Sequence, residues 1–190
     1  MTESSVVPSP PTSARLSRSR RVEMLEYKKM VKITDISGIK HEVSCIACAI
    51  QSGTVALPVE RIAETEYFVA EQDFEYPIEG FLIIASKRHI KSVMELTNEE
   101  QKDFIAFLSK CRMAIKEKLG IDEITIVQEE TSSSSHFHVW LFPWLSWMDA
   151  KRKKISSIME IMDMAKTQNS TQGMDRIKQA AAILQEYFKK

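Results

Sequence analysis

Two short apolar runs bounded by charge and turn residues, Glu66–Ala70 (EYFVA) and Gly80–Ser86 (GFLIIAS), predict β-strands, joined by a polar, proline-bearing turn around Glu75 to Glu79. The clearest helix follows. Thr97 and Glu100 stand in the Thr-x-x-Glu spacing of a capping box. Phe104, Ile105, Phe107, Leu108, Cys111, Ile115 and Leu119 then recur at helical intervals, and Gly120 supplies the stop. Glu123–Val127 (EITIV) alternates as a strand, and His136–Phe142 alternates again. After Pro143 the period becomes helical, over Lys153–Lys166 and Thr171–Phe188, with the polar stretch Thr167–Ser170 between. Strands, a long helix, strands and then helices define an α+β fold: an antiparallel sheet with a long central helix, plus C-terminal helices.

The ends of the chain behave differently. Residues 1 to about 22 hold Pro8, Pro10 and Pro11, many serines, and Arg15, Arg18, Arg20 and Arg21 against the single acid Glu3. Such a segment buries too little apolar surface to offset its ordering entropy, so a disordered tail is expected over residues 1–29. Its arginines, serines and scarcity of acids resemble a transit peptide, but three prolines spoil the amphipathic helix such a signal needs. A sheet-and-helix domain is expected over residues 30–150 and a helical extension over residues 151–190. The amphipathic stripes of that extension suit either closing the domain or forming a homodimer.

Composition narrows the classes. The 190 residues carry 26 Lys+Arg and 26 Asp+Glu, a formal net charge of zero, so there is no strong nucleic-acid footprint and no pull to an anionic membrane. The apolar stretch Val139–Met148 is about half a bilayer span and is interrupted by Pro143 and Ser146, so no transmembrane helix is expected. Three cysteines are too few and odd in number for a secreted disulfide scaffold, which favours a reducing, cytoplasmic setting.

Chemistry must then reside in scarce residues. In His136-Phe137-His138-Val139-Trp140, strand alternation sends His136, His138 and Trp140 to one face while Phe137 and Val139 face the core. Two imidazoles so placed suit a metal or a supported nucleophile. Cys45-Ile46-Ala47-Cys48 suits Zn²⁺, a redox pair opening a helix, or two small buried side chains. His89, just past a strand, reads by itself as a surface loop residue, as does His41 in its charged surroundings, while Cys111 on the helix stripe reads as core. Trp140, Trp144 and Trp147 suit packing against the C-terminal helices before base stacking.

Taken together, these segments resemble the histidine triad family. Gly80-Phe81-Leu82-Ile83-Ile84-Ala85-Ser86-Lys87-Arg88-His89-Ile90, leading to a helix near Thr97, is similar to that family's central segment, and His136–Pro143 to its His-φ-His-φ-His-φ-φ signature. The Cys pair sits where many members carry a zinc-binding CxxC, and the resemblance spans residues 43–146. It implies His138 as the nucleophile that forms a covalent nucleotidyl-histidine, supported by His136. It also implies a structural zinc held by Cys45, Cys48, His89 and His136, and a nucleotide or nucleoside-phosphate substrate. The hydroxyls and amides of Ser133, Ser134 and Ser135 suit cradling its phosphate, Ser133 falling near a family hydroxyl position, and Trp140 suits meeting the base. The expected activity is that of a nucleotide phosphohydrolase or nucleotidyltransferase. Three departures count against it. Trp140 replaces the third histidine, and an indole has one N–H donor and no acceptor. Phe81 stands where many relatives have His. The loop before the signature, Gln128–Ser135, lacks glycine, and its adjacent acids Glu129 and Glu130 are expected to repel a phosphate. The alternative is a degenerate nucleotide-binding or zinc-stabilised interaction module.

Overall fold

The computed structural model describes residues 30–131, 136–148, 154–167 and 171–189. The elements, in order, are β1 (Val31–Thr34), β2 (Lys40–Val43), α1 (Ile46–Gln51), β3 (Ala63–Glu64), β4 (Phe68–Gln72), β5 (Leu82–Ser86), a 3-10 turn (Val93–Glu95), α2 (Asn98–Leu119), β6 (Ile124–Val127), β7 (His138–Pro143), α3 (Ile155–Thr167) and α4 (Thr171–Phe188). The α+β expectation holds: a five-stranded antiparallel sheet runs in the order β3-β4-β5-β7-β6, beside a separate β1-β2 ribbon. The boundaries of the expected elements shift by at most two residues, and the proposed tail over residues 1–29 lies outside the described residues.

Helix α2 forms as its sequence dictates. Thr97 caps the Glu100 amide while the Glu100 side chain reaches back to the Thr97 amide, and Gly120 ends the helix at φ +67°, a conformation that costs glycine no Cβ clash. The apolar stripe of α2 (Phe104, Phe107, Cys111, Ile115) packs on one face of the sheet, against Phe68, Leu82, Ile84, Phe137, Val139 and Leu141. Helix α4 completes that layer through Ile177, Ala181 and Leu184. Helix α3 covers the opposite face only at its far end, where Ile158, Ile161 and Met162 meet Phe81, Phe142 and Trp144. The C-terminal helices therefore close the domain from both sides.

Strand β7 runs between these layers. Phe137, Val139 and Leu141 are buried towards α2, as alternation requires, while His138 and Trp140 remain half-buried on the other face. Cys111 is fully buried, and burial pushes its thiol up to about 12, so it is an inert core residue. Of the aromatic run, Trp144 packs as expected, with its ring 5.2 Å from that of Phe142, but Trp147 is 53% exposed and does not join the core. His41 is not a free surface residue either. It pairs with Asp35 at 2.8 Å within the β1–β2 hairpin. Among the described residues no helix is long and apolar enough to cross a membrane.

Candidate functional site

Four ligand-type side chains converge from three distant parts of the chain. Cys45 is the N-cap of α1 and Cys48 lies in its first turn, where the Cys48 amide donates to the Cys45 sulfur at 3.5 Å. This short helix brings the two sulfurs to one side. His89 comes from the connection after β5, and His136 from the residues just before β7. The ligand atoms of Cys45, Cys48, His89 and His136 all lie within 4.8 Å of one another. His136 Nδ1 is 3.3 Å from Cys45 Sγ and 3.5 Å from Cys48 Sγ, and Cys48 Sγ is 3.2 Å from His89 Nδ1. A tetrahedral cation with bonds of about 2.3 Å to sulfur and 2.0–2.1 Å to nitrogen sets its S and N ligands roughly 3.5 Å apart. The donor set and its spacing therefore fit such a cation.

The imidazole of His136 is oriented from behind. Nε2 donates to the Ser86 carbonyl at 2.7 Å and lies 3.2 Å from the Ser86 hydroxyl, which leaves Nδ1 unprotonated and aimed at the sulfurs. Burial lowers the affinity of this ring for a second proton, and the neighbouring His89 and His138 lower it further, against the Ser86 carbonyl. This neutral form is the one that binds metals. Strand alternation places His136 on the face of His138, but its buried ring turns into the cluster instead of lying open beside it.

His138 stands at the start of β7. Its Nδ1 lies 2.9 Å from the His136 carbonyl, which can only accept, so Nδ1 carries the hydrogen and the Nε2 lone pair is free to act as nucleophile or acceptor. Trp140 follows on the same face, its ring centroid 6.0 Å from that of His138. The Phe81 ring meets Trp140 edge-on at 5.8 Å and 89°. The two positions that depart from the family's histidines thus form one aromatic contact. Ser133, Ser134 and Ser135 lie outside the described residues.

Glu130, one of the two acids expected to repel a phosphate, keeps its negative charge and is fixed in place. Its carboxylate accepts from the Ser92 hydroxyl at 2.7 Å and the Val93 amide at 2.6 Å, anchoring the loop to the 3-10 turn. These hydrogen bonds hold its carboxyl below the usual range.

Sequence reading did not single out Ser86 or the Arg88–Glu100 pair, and both support the site. Ser86 closes an otherwise apolar strand directly before Lys-Arg-His, and that lone hydroxyl was the available signal. Arg88, next to His89, makes a two-pronged contact with Glu100 at 2.9 and 2.7 Å and donates to the Glu95 carbonyl at 2.6 Å. The guanidinium beside Glu100, helped by the Thr97 amide, lowers the Glu100 carboxyl from its ordinary 4.5 to about 2. The stabilisation this provides is complete above the unfolded value of 4.5 and lost as pH falls towards 2. Glu100→Gln should therefore cost on the order of 1–3 kcal/mol near neutral pH, with the gap closing in acid. Urea unfolding across the acid range checks this; a gap independent of pH would refute the ionic contribution.

A cleft of about 690 Å³ lies at the other end of β7, lined by Trp144, Trp147, Ile183 and Arg176 among others. None of the candidate residues lines it.

This architecture is the fold of the histidine triad family, in a version with a Cys-x-x-Cys pair and a His-x-His-x-Trp signature. A Hit-like protein of Bartonella henselae, described as involved in cell-cycle regulation, superposes with a TM-score of 0.55 at 16% identity, over 75% of this chain and 94% of that one. A zinc-bound histidine triad family protein of Mycobacterium smegmatis gives a TM-score of 0.49 at 20% identity, over 72% and 97% of the two chains. In sequence, the chain is 28% identical over 104 residues to the protein named hit of Bacillus subtilis (strain 168), covering 53% of this chain and 70% of that protein. No family model matches the chain.

Proposed function

We propose that the protein is a nucleotide phosphohydrolase or nucleotidyltransferase in which His138 forms a covalent nucleotidyl-histidine. The observation that carries this reading is the Nδ1 contact of His138 with the His136 carbonyl, which fixes the tautomer and leaves Nε2 available on a half-buried face. Nε2 attacks phosphorus, and the Nδ1–H bond to a fixed acceptor stabilises the imidazolium-like charge that develops on the ring. Ser133, Ser134 and Ser135 supply hydroxyls and amides to the phosphate oxygens, and Trp140 borders the bound nucleotide.

Cys45, Cys48, His89 and His136 would hold a zinc ion in a closed four-ligand site, and their spacing supports that assignment. With four side chains as its ligands, such an ion would supply cross-linking and not a reactive position. It would tie α1, the connection after β5 and the start of β7 together, which holds the His136 carbonyl where His138 needs it.

A second reading, a nucleotide-binding module without turnover, is favoured by the Phe81–Trp140 contact, since neither residue can transfer a proton. Rapid quenching of the protein with an adenylated substrate, followed by intact-mass analysis, separates the two. The active reading expects an added nucleotide that His138→Ala abolishes. Neither adduct nor turnover across a broad nucleotide panel would refute it.

A further inference from the structure

The residues around Trp140 set which substrates His138 can open. We propose that this site acts only on nucleotidyl compounds whose leaving group departs as a stable anion, namely anhydrides and activated esters, and not on alkyl esters or phosphoramidates. This rests on the reading of His138 as nucleophile.

On the face that carries His138, the sheet register sets Ile83 and Val127 on either side of Trp140, and Ala85 beside His138. The Phe81 ring closes against Trp140 edge-on. Among the described residues, the cross-strand positions flanking Trp140 thus hold no group that titrates, and His138 itself is the nucleophile. The indole N–H can donate a hydrogen bond to a departing oxygen but cannot give up its proton in water's pH range. Three carboxyls lie further off. Glu64, at the far edge of the row that holds Ala85 and His138, is paired with Arg61 at 2.7 Å and Lys87 at 3.5 Å, and these cations hold its carboxyl below the usual range. Glu71, one strand beyond Ile83, is ion-paired with Arg61 at 3.2 Å, and burial raises its carboxyl. Asp73, raised by burial to about 7, is turned into the β4–β5 connection, where it accepts the Tyr76 amide at 2.8 Å. By register Ile83 stands between Glu71 and Trp140, and the Asp73 carboxylate is turned to the Tyr76 amide.

The reaction balances without an acid. The Nε2 lone pair of neutral His138 forms the N–P bond. The bond from phosphorus to the leaving oxygen breaks, and that oxygen leaves with the electron pair as an anion, unprotonated. Water then attacks phosphorus, the N–P bond breaks, His138 returns to its neutral form, and one proton passes to solvent. An alkoxide or amide anion is too basic to leave this way, whereas a phosphate, carboxylate or nitrophenolate is not. General-acid assistance is worth roughly 10²–10⁴-fold, and its absence falls wholly on the basic leaving groups.

The test uses AMP derivatives bearing p-nitrophenyl, phenyl and methyl ester groups, an AMP-carboxylic anhydride and an AMP phosphoramidate, followed by adduct formation and turnover. The proposal expects the anhydride and the p-nitrophenyl ester to react and the rate to fall steeply with leaving-group basicity. The methyl ester and phosphoramidate should lag by a further ~10²-fold or more. Trp140→His should raise the two poor substrates relative to the p-nitrophenyl ester. Glu71→Gln and Asp73→Asn should leave that selectivity unmoved. Comparable rates across the series, or a carboxyl variant that selectively slows the poor substrates, would overturn the inference while leaving His138 as nucleophile intact. Absence of an adduct even with the p-nitrophenyl ester would overturn the nucleophile itself, and this inference with it.

Discussion

Cys48→Ser is expected to empty the four-donor cluster and lower the melting temperature by ~10–20 °C. The reasoning runs from geometry to energy. Cys48 Sγ touches two of the other three members, His89 at 3.2 Å and His136 at 3.5 Å, so its loss breaks the cluster at its centre. Structural zinc supplies roughly 10–16 kcal/mol to small domains that depend on it. This fold also has two apolar clusters of its own, so a smaller loss, about 5 kcal/mol, is the fair expectation. For a chain of this size each kcal/mol moves the midpoint by roughly 2–4 °C. Elemental analysis should find zinc in the native protein and none in the variant. Cys111→Ala is the control: that thiol is buried in the core away from the cluster, so the variant should keep its zinc. A native protein whose melting is indifferent to a strong chelator, and to Cys48→Ser, would remove the case for a metal.

The second large effect concerns packing beneath the site. Phe137 is 1% exposed and sits between the rings of Phe104, at 5.5 Å, and Phe68, at 6.4 Å, both edge-on. Its amide also donates to the Ile90 carbonyl at 2.6 Å, so side chain and backbone together fix the entry to β7. Phe137→Ala should cost ~3–5 kcal/mol, because three aromatic surfaces lose contact and helix α2 cannot collapse into the gap. Urea unfolding measures it. A loss below about 1 kcal/mol would mean that the layer between α2 and the sheet repacks freely, contrary to its burial.

How far the sequence alone could reach is seen in particular residues. The α2 helix was legible from end to end, because its signals are local: Thr97 and Glu100 at the start, the apolar period, Gly120 at the end. The alternation of β7 was legible for the same reason. Cys45, Cys48 and His136 could be nominated by type and spacing, whereas His89 came in only through the family resemblance. Their meeting depends on contacts between residues 45, 89 and 136, which no local pattern encodes. The β1–β2 ribbon escaped notice because each strand is only four residues long and its alternation, Val31 and Ile33 against Lys32 and Thr34, is too short to stand out. Glu130 was legible only in part. Its charge is visible in the sequence, but the Ser92 hydroxyl and Val93 amide that hold the carboxylate lie 38 and 37 residues away. Partners across such separations decide where an acid's charge is held. Trp147 shows the converse: an aromatic residue in an apolar run whose neighbours pack while it does not.

His136 has a consequence for how variants here are interpreted. Its Nδ1 faces two sulfurs, its Nε2 is held by Ser86, and its carbonyl receives the hydrogen of His138. The first two belong to the side chain and the third to the backbone. His136→Ala removes a donor without removing the carbonyl, so any loss of His138 reactivity in that variant measures how rigidly the chain holds that oxygen once the ring no longer anchors it. A comparison of His136→Ala with Cys48→Ser then separates two kinds of dependence: reactivity that follows the cluster as a whole, and reactivity that follows the anchoring of a single peptide group.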